Sequence, residues 1–403
     1  MTEPETTGGF DGPSPLPETT RGAVLRELGR ALDLVDLDLA PPGEEEVTVR
    51  MGATGVCHSD LSVYQGLLPN PLPMVLGHEG AGTVVAVGPG VESVSVGDQV
   101  VLSWLAQCSR CFYCRAGQPA LCETATRAMV RGTLLDGTTR FSFHGEPVFH
   151  MAGLGTFSEF CVVPEKCAIR MDQPIPMESA ALLGCGVLTG FGAAVNAGRV
   201  RPGESVAVIG CGGVGLNAVQ GARISGAETI VAVDLHQERL ELARRLGATH
   251  TLTPDGALSK TVRQLTHGRG VDVAIEVVGR SEAIRDAVAM TRRGGRIVLV
   301  GAGPDDVRLD LPAFGGLVST EKTIVGSFYG SAQVERDLSV LARLYRSGKL
   351  ELDALVTRTF SFGDTNEAVA YCADEQGARA VISFADEARP VGPANAGDRG
   401  DDD

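Results

Sequence analysis

Apolar runs of strand length recur in the second half of the chain: Ser205 to Ile209, Thr229 to Val233, Val271 to Val277 and Arg296 to Val300. Between them lie helix-like segments such as Leu216 to Ser225, whose apolar residues keep helical spacing as far as Gly226. Continuous apolar strands alternating with helices predict a parallel sheet covered on both faces, from about 187 to 325. Residues 23 to 185 have another texture. Gly, Pro and short Val-rich runs such as Val47 to Met51 and Gly82 to Gly88, with turn residues every ten or so positions, predict a β-rich unit. Residues 326 to 385 are mixed, with a predicted helix over Glu335 to Ser347 and a closing strand over Ala380 to Phe384. Residues 1–20 and 386–403 are Pro/Gly-rich or acidic, with too little apolar content to repay the entropy of ordering, and are expected to be tails. No internal repeat interrupts this plan.

Composition narrows the class. A chain of 403 residues, 43% of them hydrophobic, is globular and long enough for two domains. Its formal charge of −15 argues against nucleic acid or an anionic membrane as the main partner, since both call for clustered Lys and Arg. Apolar stretches such as Val206 to Gly215 and Ile297 to Gly303 fall short of the roughly 18 to 20 residues a membrane span needs, so none is expected. The N-terminus has acids, Gly and Pro where a signal peptide would have a basic start and an apolar run, which predicts a cytoplasmic protein. In that reducing setting the ten cysteines point to metal or catalysis rather than disulfides.

Two kinds of motif carry chemistry. Ser205 to Ile209 runs into Gly210-Cys-Gly212-Gly213-Val214-Gly215 and then a predicted helix, the context a dinucleotide-binding turn requires. Gly210 permits the turn, Gly212 lets backbone approach a pyrophosphate, and Gly215 lets helix and strand pack closely, with the helix N-terminus facing the phosphates. Asp234, nineteen residues after Gly215 at the end of the next strand, would accept hydrogen bonds from a ribose and repel a 2′-phosphate, favouring NAD over NADP. Arg239 is the nearest base that follows. The plainer alternative is an ordinary turn with a strand-ending Asp.

Cys108, Cys111, Cys114 and Cys122 supply four thiolates, enough to close a tetrahedral zinc site with no position left for substrate; the alternative is a cluster of buried or redox-active thiols. Cys57-His58-Ser59-Asp60 and Gly77-His78-Glu79-Gly80 each set a metal-binding side chain beside a carboxylate. Three such ligands with one open position make a catalytic site, although His78 or Cys185 taken alone reads as a packed core residue.

Together with Leu183-Gly-Cys185-Gly-Val-Leu-Thr-Gly190, these motifs resemble those of the zinc-dependent medium-chain alcohol dehydrogenases over about residues 22 to 385, with a texture similar to the glutathione- or mycothiol-dependent formaldehyde dehydrogenase branch. The resemblance implies an α/β protein whose GroES-like β-rich catalytic domain is split around an inserted, doubly wound Rossmann domain. Its parts would be residues 21–186, with a structural-zinc lobe over 104–123, the NAD-binding domain 187–325, and the second catalytic part 326–385. It implies two Zn2+ ions per chain and NAD. Cys57, His78 and Cys185 match the catalytic zinc ligands, Asp60 the carboxylate that orients His78, and Glu79 a residue beside the metal. Ser59 matches the hydroxyl bound to the substrate oxygen, His58 and Arg379 match pyrophosphate neighbours, and Trp104 matches an aromatic of the substrate pocket. A small alcohol or aldehyde is the implied partner, in a homo-oligomer, dimer or tetramer.

Departures from the branch bear on substrate. Leu61 to Leu76 contains no Asp or Glu, and Thr126 stands where glutathione-using relatives place an Arg. Ser62 stands where many relatives have a proton-shuttling His. The expected activity is oxidation of an alcohol, or the reverse, with hydride transfer to NAD. Its rivals are a thiol-adduct formaldehyde dehydrogenase and a catalytically silent NAD-binding relative.

Overall fold

The computed structural model describes residues 17–304, 306–374 and 377–385. The N-terminal strand Thr19–Leu25 joins Asp33–Leu39, Phe141–Phe143, Glu146–His150 and Met74–Val75 in a small closed barrel. This corrects the tail expected over 1–20. Thr20 is buried and its hydroxyl donates to the Phe160 carbonyl, so Thr19 and Thr20 belong to the sheet. The remaining residues of both expected tails, 1–16 and 386–403, lie outside the described residues.

Against the barrel packs a seven-stranded sheet centred on Glu46–Val56, which pairs on one side with Glu79–Val87 and on the other with the last strand, Arg379–Ser383. The register Ala380↔Val56 thus returns the C-terminal segment to the first sheet. Between these halves lies a six-stranded parallel sheet with the spatial order 250–252, 229–233, 205–209, 271–276, 291–299, 323–326. In order of sequence that is 3-2-1-4-5-6, the doubly wound arrangement, whose ligand crevice opens between the carboxyl ends of strands Ser205–Ile209 and Val271–Glu276.

One element crosses between the units. Met177–Ala197 is a continuous helical segment of 21 residues, with π-helical turns over Leu183–Val187 and Ala193–Ala197. Its Leu182, Leu188 and Ala194 share one apolar core with Leu216 and Val219 of the sheet's first helix and with Leu338 and Leu341 of helix Val334–Arg346. A division between 186 and 187 therefore cuts a helix. The expectation about apolar length is also corrected, because this helix is long and apolar enough to cross a membrane; most of it is instead buried inside the protein.

Candidate active site

Three elements converge on a buried set of ligand atoms. Cys57 caps the short helix His58–Tyr64, His78 immediately precedes strand Glu79–Val87, and Cys185 sits in the first π-helical turn of the crossing helix. The ligand atoms of Cys57, His78, Glu79 and Cys185 all lie within 4.8 Å of one another. Asp60 organises them. Its Oδ2 accepts the Cys57 N–H at 2.8 Å, and its Oδ1 accepts the Gly77 N–H at 3.1 Å and lies 3.1 Å from His78 Nδ1. A carboxylate on Nδ1 keeps the proton there and leaves Nε2 as a lone pair. That Nε2 is buried with no hydrogen-bond partner, an expensive arrangement that a metal ion held with the two sulfurs would resolve.

Each ionisable group of the set shifts its neighbours. Hydrogen bonding from Cys185 holds the Cys57 thiol well below its usual range, against burial and with help from Arg379, and it pushes Cys185 up in turn. Burial pulls His78 down, but the Asp60 carboxylate and the Cys57 sulfur outweigh it and raise the imidazole. Glu79 is raised to about 7 by burial, with Arg379 opposing. Arg379 Nη2 lies 3.2 Å from Glu79 Oε1, an ion pair without hydrogen-bond alignment, while Gly186 N–H donates to the same oxygen at 3.2 Å.

Arg379 also reaches the second motif. A Cβ on Gly213 would collide with its guanidinium, which therefore lies against the first turn of helix Gly213–Ile224. Gly210 takes φ +92°, open only to glycine at low cost, and a Cβ on Gly215 would strike the Gly210 carbonyl. Gly212 has no atom near its missing Cβ, so the cradle is open where a pyrophosphate would approach, and the first-turn N–H groups of Gly213, Val214 and Gly215 have no intrahelical acceptor. Asp234 clasps the loop, accepting the Cys211 N–H at 2.6 Å and the His236 N–H at 2.8 Å. Arg239 stands 4.0 Å from Asp234 and donates to the Gly377 carbonyl.

The sulfurs of Cys108, Cys111, Cys114 and Cys122 form a second set within 4.8 Å, in a lobe after strand Gln99–Leu102. Backbone N–H groups of Cys111 and Cys108 donate at 3.4 Å to the sulfurs of Cys108 and Cys122, as thiolates closing on a cation would require.

Ser59 Oγ lies 3.9 Å from Cys57 Sγ, while His58 opens the same helix and is exposed. Ser62 donates to the His58 carbonyl at 3.0 Å. Trp104 is partly buried, with its ring centroid 4.2 Å from that of Tyr329 and 5.4 Å from that of Phe328. Sequence reasoning missed Tyr329, a buried phenol that donates to the Gly184 carbonyl beside Cys185. No spacing flags a single tyrosine, and only the fold brings it to the metal helix.

Comparison with known proteins agrees with this arrangement. Residues 43–173 match the alcohol dehydrogenase GroES-like domain, and residues 213–344 match the zinc-binding dehydrogenase model. A putative alcohol dehydrogenase D of Mycobacterium tuberculosis is 40% identical over 366 residues, covering 90% of this chain and 99% of the relative. The chain belongs to the zinc-dependent alcohol dehydrogenase family. An S-(hydroxymethyl)glutathione dehydrogenase of Synechocystis is 38% identical, covering 91% of this chain and all of the relative. The crystal structure of benzyl alcohol dehydrogenase from Acinetobacter calcoaceticus superposes with a TM-score of 0.86 at 33% identity, covering 91% of this chain and 99% of that one. The chemistry of this zinc alcohol dehydrogenase is thus hydride exchange between an alcohol and NAD, with zinc as the metal.

Proposed function

We propose that Cys57, His78 and Cys185 hold the catalytic zinc, that the four-cysteine lobe holds a structural one, and that the enzyme oxidises a primary or benzylic alcohol without a thiol carrier. The observation that carries the assignment is the buried, unpartnered His78 Nε2 beside two sulfurs. Zinc held by that set would supply Lewis acidity toward the alcohol oxygen, and NAD held at the glycine-rich turn would supply the hydride acceptor. The chain's own residues do the rest. Asp60 fixes the tautomer of His78. Arg379, buried and charged, balances the sulfurs and Glu79 on one side and faces the pyrophosphate cradle on the other. Ser59 takes the substrate proton and passes its own onward.

That proton goes to solvent. Ser62 spends its own hydrogen on the His58 carbonyl and has no basicity to offer near neutral pH. Asp234, held by two backbone N–H groups at the end of its strand, sets the preference for NAD. Asp234→Gly should relax it; a native enzyme that reduces NADP as efficiently as NAD would remove that role.

The likeness to a glutathione-adduct enzyme supports a second reading, formaldehyde oxidation as a thiol adduct. Against glutathione as the carrier stand the absence of acids in Leu61 to Leu76 and the Thr at position 126, which leave mycothiol as the thiol of that second reading. NAD reduction is measured with primary, benzylic and polyol alcohols, and with formaldehyde with or without glutathione or mycothiol. Turnover of an alcohol without thiol supports the first reading, and activity confined to formaldehyde plus thiol contradicts it. A homo-oligomer, dimer or tetramer, is supported by the edge strand Thr323–Gly326 and by the exposed Leu309, Phe314 and Val318 in the segment before it.

A further inference from the structure

The crossing helix departs from regular geometry where it carries Cys185. Leu183–Val187 is a π-helical turn, a widening that loosens the regular hydrogen-bond ladder and re-aims side chains. Tyr329 holds that turn from outside the helix. Its side chain is buried, its hydroxyl donates to the carbonyl of Gly184, and Ser103 Oγ lies 3.0 Å away. Donor counting sets the direction of these bonds. A phenol has one proton and the Gly184 carbonyl can only accept, so the Ser103 hydroxyl donates to Tyr329 while accepting the Leu105 N–H at 3.3 Å. The chain of bonds therefore runs one way, from the two residues flanking Trp104 to the residue before Cys185. The Trp104 ring packs on the Tyr329 ring along the same path.

The backbone around Tyr329 is constrained to match. Tyr329, Gly330 and Ser331 take φ of +52°, +65° and +51° in succession, a left-handed run that persists only where its surroundings over-determine it. Those surroundings are the same helix: a Cβ on Gly330 would strike the Leu188 carbonyl, and one on Gly192 would strike Gly330.

We propose that Tyr329 is a positioning residue: through the Gly184 carbonyl it sets the register of the turn that presents Cys185 to the catalytic metal, and it couples that turn to Trp104. The inference rests on the assignment of Cys185 as a metal ligand.

The test uses the holoenzyme with cobalt exchanged into the catalytic site, read by its sulfur-to-cobalt charge-transfer absorption and by the rate at which a chelator removes the metal. Tyr329→Phe keeps the ring and its packing on Trp104. The expected result is a shifted band and removal on the order of 10-fold faster, with metal in the four-cysteine lobe retained as before. A Tyr329→Phe protein with the wild-type band and rate overturns the proposal. Ser103→Ala removes the donor to Tyr329 and is expected to shift both readouts the same way by less. If Tyr329→Phe does not fold, a wild-type band and rate in Ser103→Ala overturns the proposal in its place. Cys185→Ala separates the two claims: a band unaltered by that substitution means the ligand assignment has failed, whatever Tyr329 does.

Discussion

Ser59 and Ser62 sit three residues apart on one short helix, yet their hydroxyls face different tasks. Ser59 lies beside Cys57, and Ser62 is spent on its own helix backbone. Ser59→Ala should therefore nearly eliminate turnover, and Ser62→Ala should change it little. Ser62→His, which adds a base of near-neutral pKa, should raise turnover near neutral pH. The check is the pH dependence of turnover for all three variants, where hydride transfer shows an isotope effect; a large loss in Ser62→Ala would place Ser62 in the relay. His150, far from this chemistry, makes a second residue-scale case. Its Nε2 accepts the Arg140 N–H at 2.9 Å, and its Nδ1 lies 3.2 Å from the Leu154 carbonyl, so it is buried neutral. Burial lowers it from 6.5 to about 4. The unfolded chain then binds a proton that the folded one does not between those values, so stability falls as pH drops from about 6.5 toward 4, by about 3 kcal/mol. Thermal unfolding of His150→Gln should show a shallower decline over that window than the wild type, and parallel curves would contradict the account.

Within the glycine-rich turn, Gly215 and Gly212 should respond to an added side chain in opposite ways. A Cβ at Gly215 meets the Gly210 carbonyl and forces helix from strand, so Gly215→Ala should cost on the order of 2 kcal/mol of stability. A Cβ at Gly212 meets nothing in the protein, so Gly212→Ala should fold normally but bind NAD at least roughly tenfold more weakly, because the side chain occupies the pyrophosphate's approach. Denaturant melts and NAD titration check both, and equal NAD affinity in Gly212→Ala and wild type would contradict the cradle. This turn was legible because its strand is buried on both faces: Ser205–Ile209 and Thr229–Val233 match the apolar runs residue for residue. The strand read as Arg296 to Val300 instead spans Thr291–Leu299, its polar first half joining across a register shift that no apolar pattern marks. The crossing helix escaped notice for another reason. Gly184, Gly186, Gly190 and Gly192 lower its helical signal, and each is needed where a neighbour approaches too closely for a side chain.

Over the whole molecule, the ligand residues were legible as motifs, whereas their convergence was legible only through the family resemblance. Cys57 and His78 are brought together by the pairing of Glu46–Val56 with Glu79–Val87, whereas Cys185, more than a hundred residues further on, is delivered by the crossing helix between the two sheets. We propose two zinc ions of different character in each chain. One sits in the closed four-sulfur lobe and supports the fold, and the other sits in the three-ligand set and supports turnover. Cys122 is fully buried in the lobe, so Cys122→Ser should lower the thermal midpoint by roughly 10 °C or more. The most direct measurement is zinc content per chain, with NAD reduction and thermal midpoint, for wild type and Cys185→Ala. The expected result is two zinc ions in the wild type and one in Cys185→Ala, with turnover abolished and the midpoint close to that of the wild type. One zinc or none in the freshly purified wild type, or full turnover by Cys185→Ala, would contradict it.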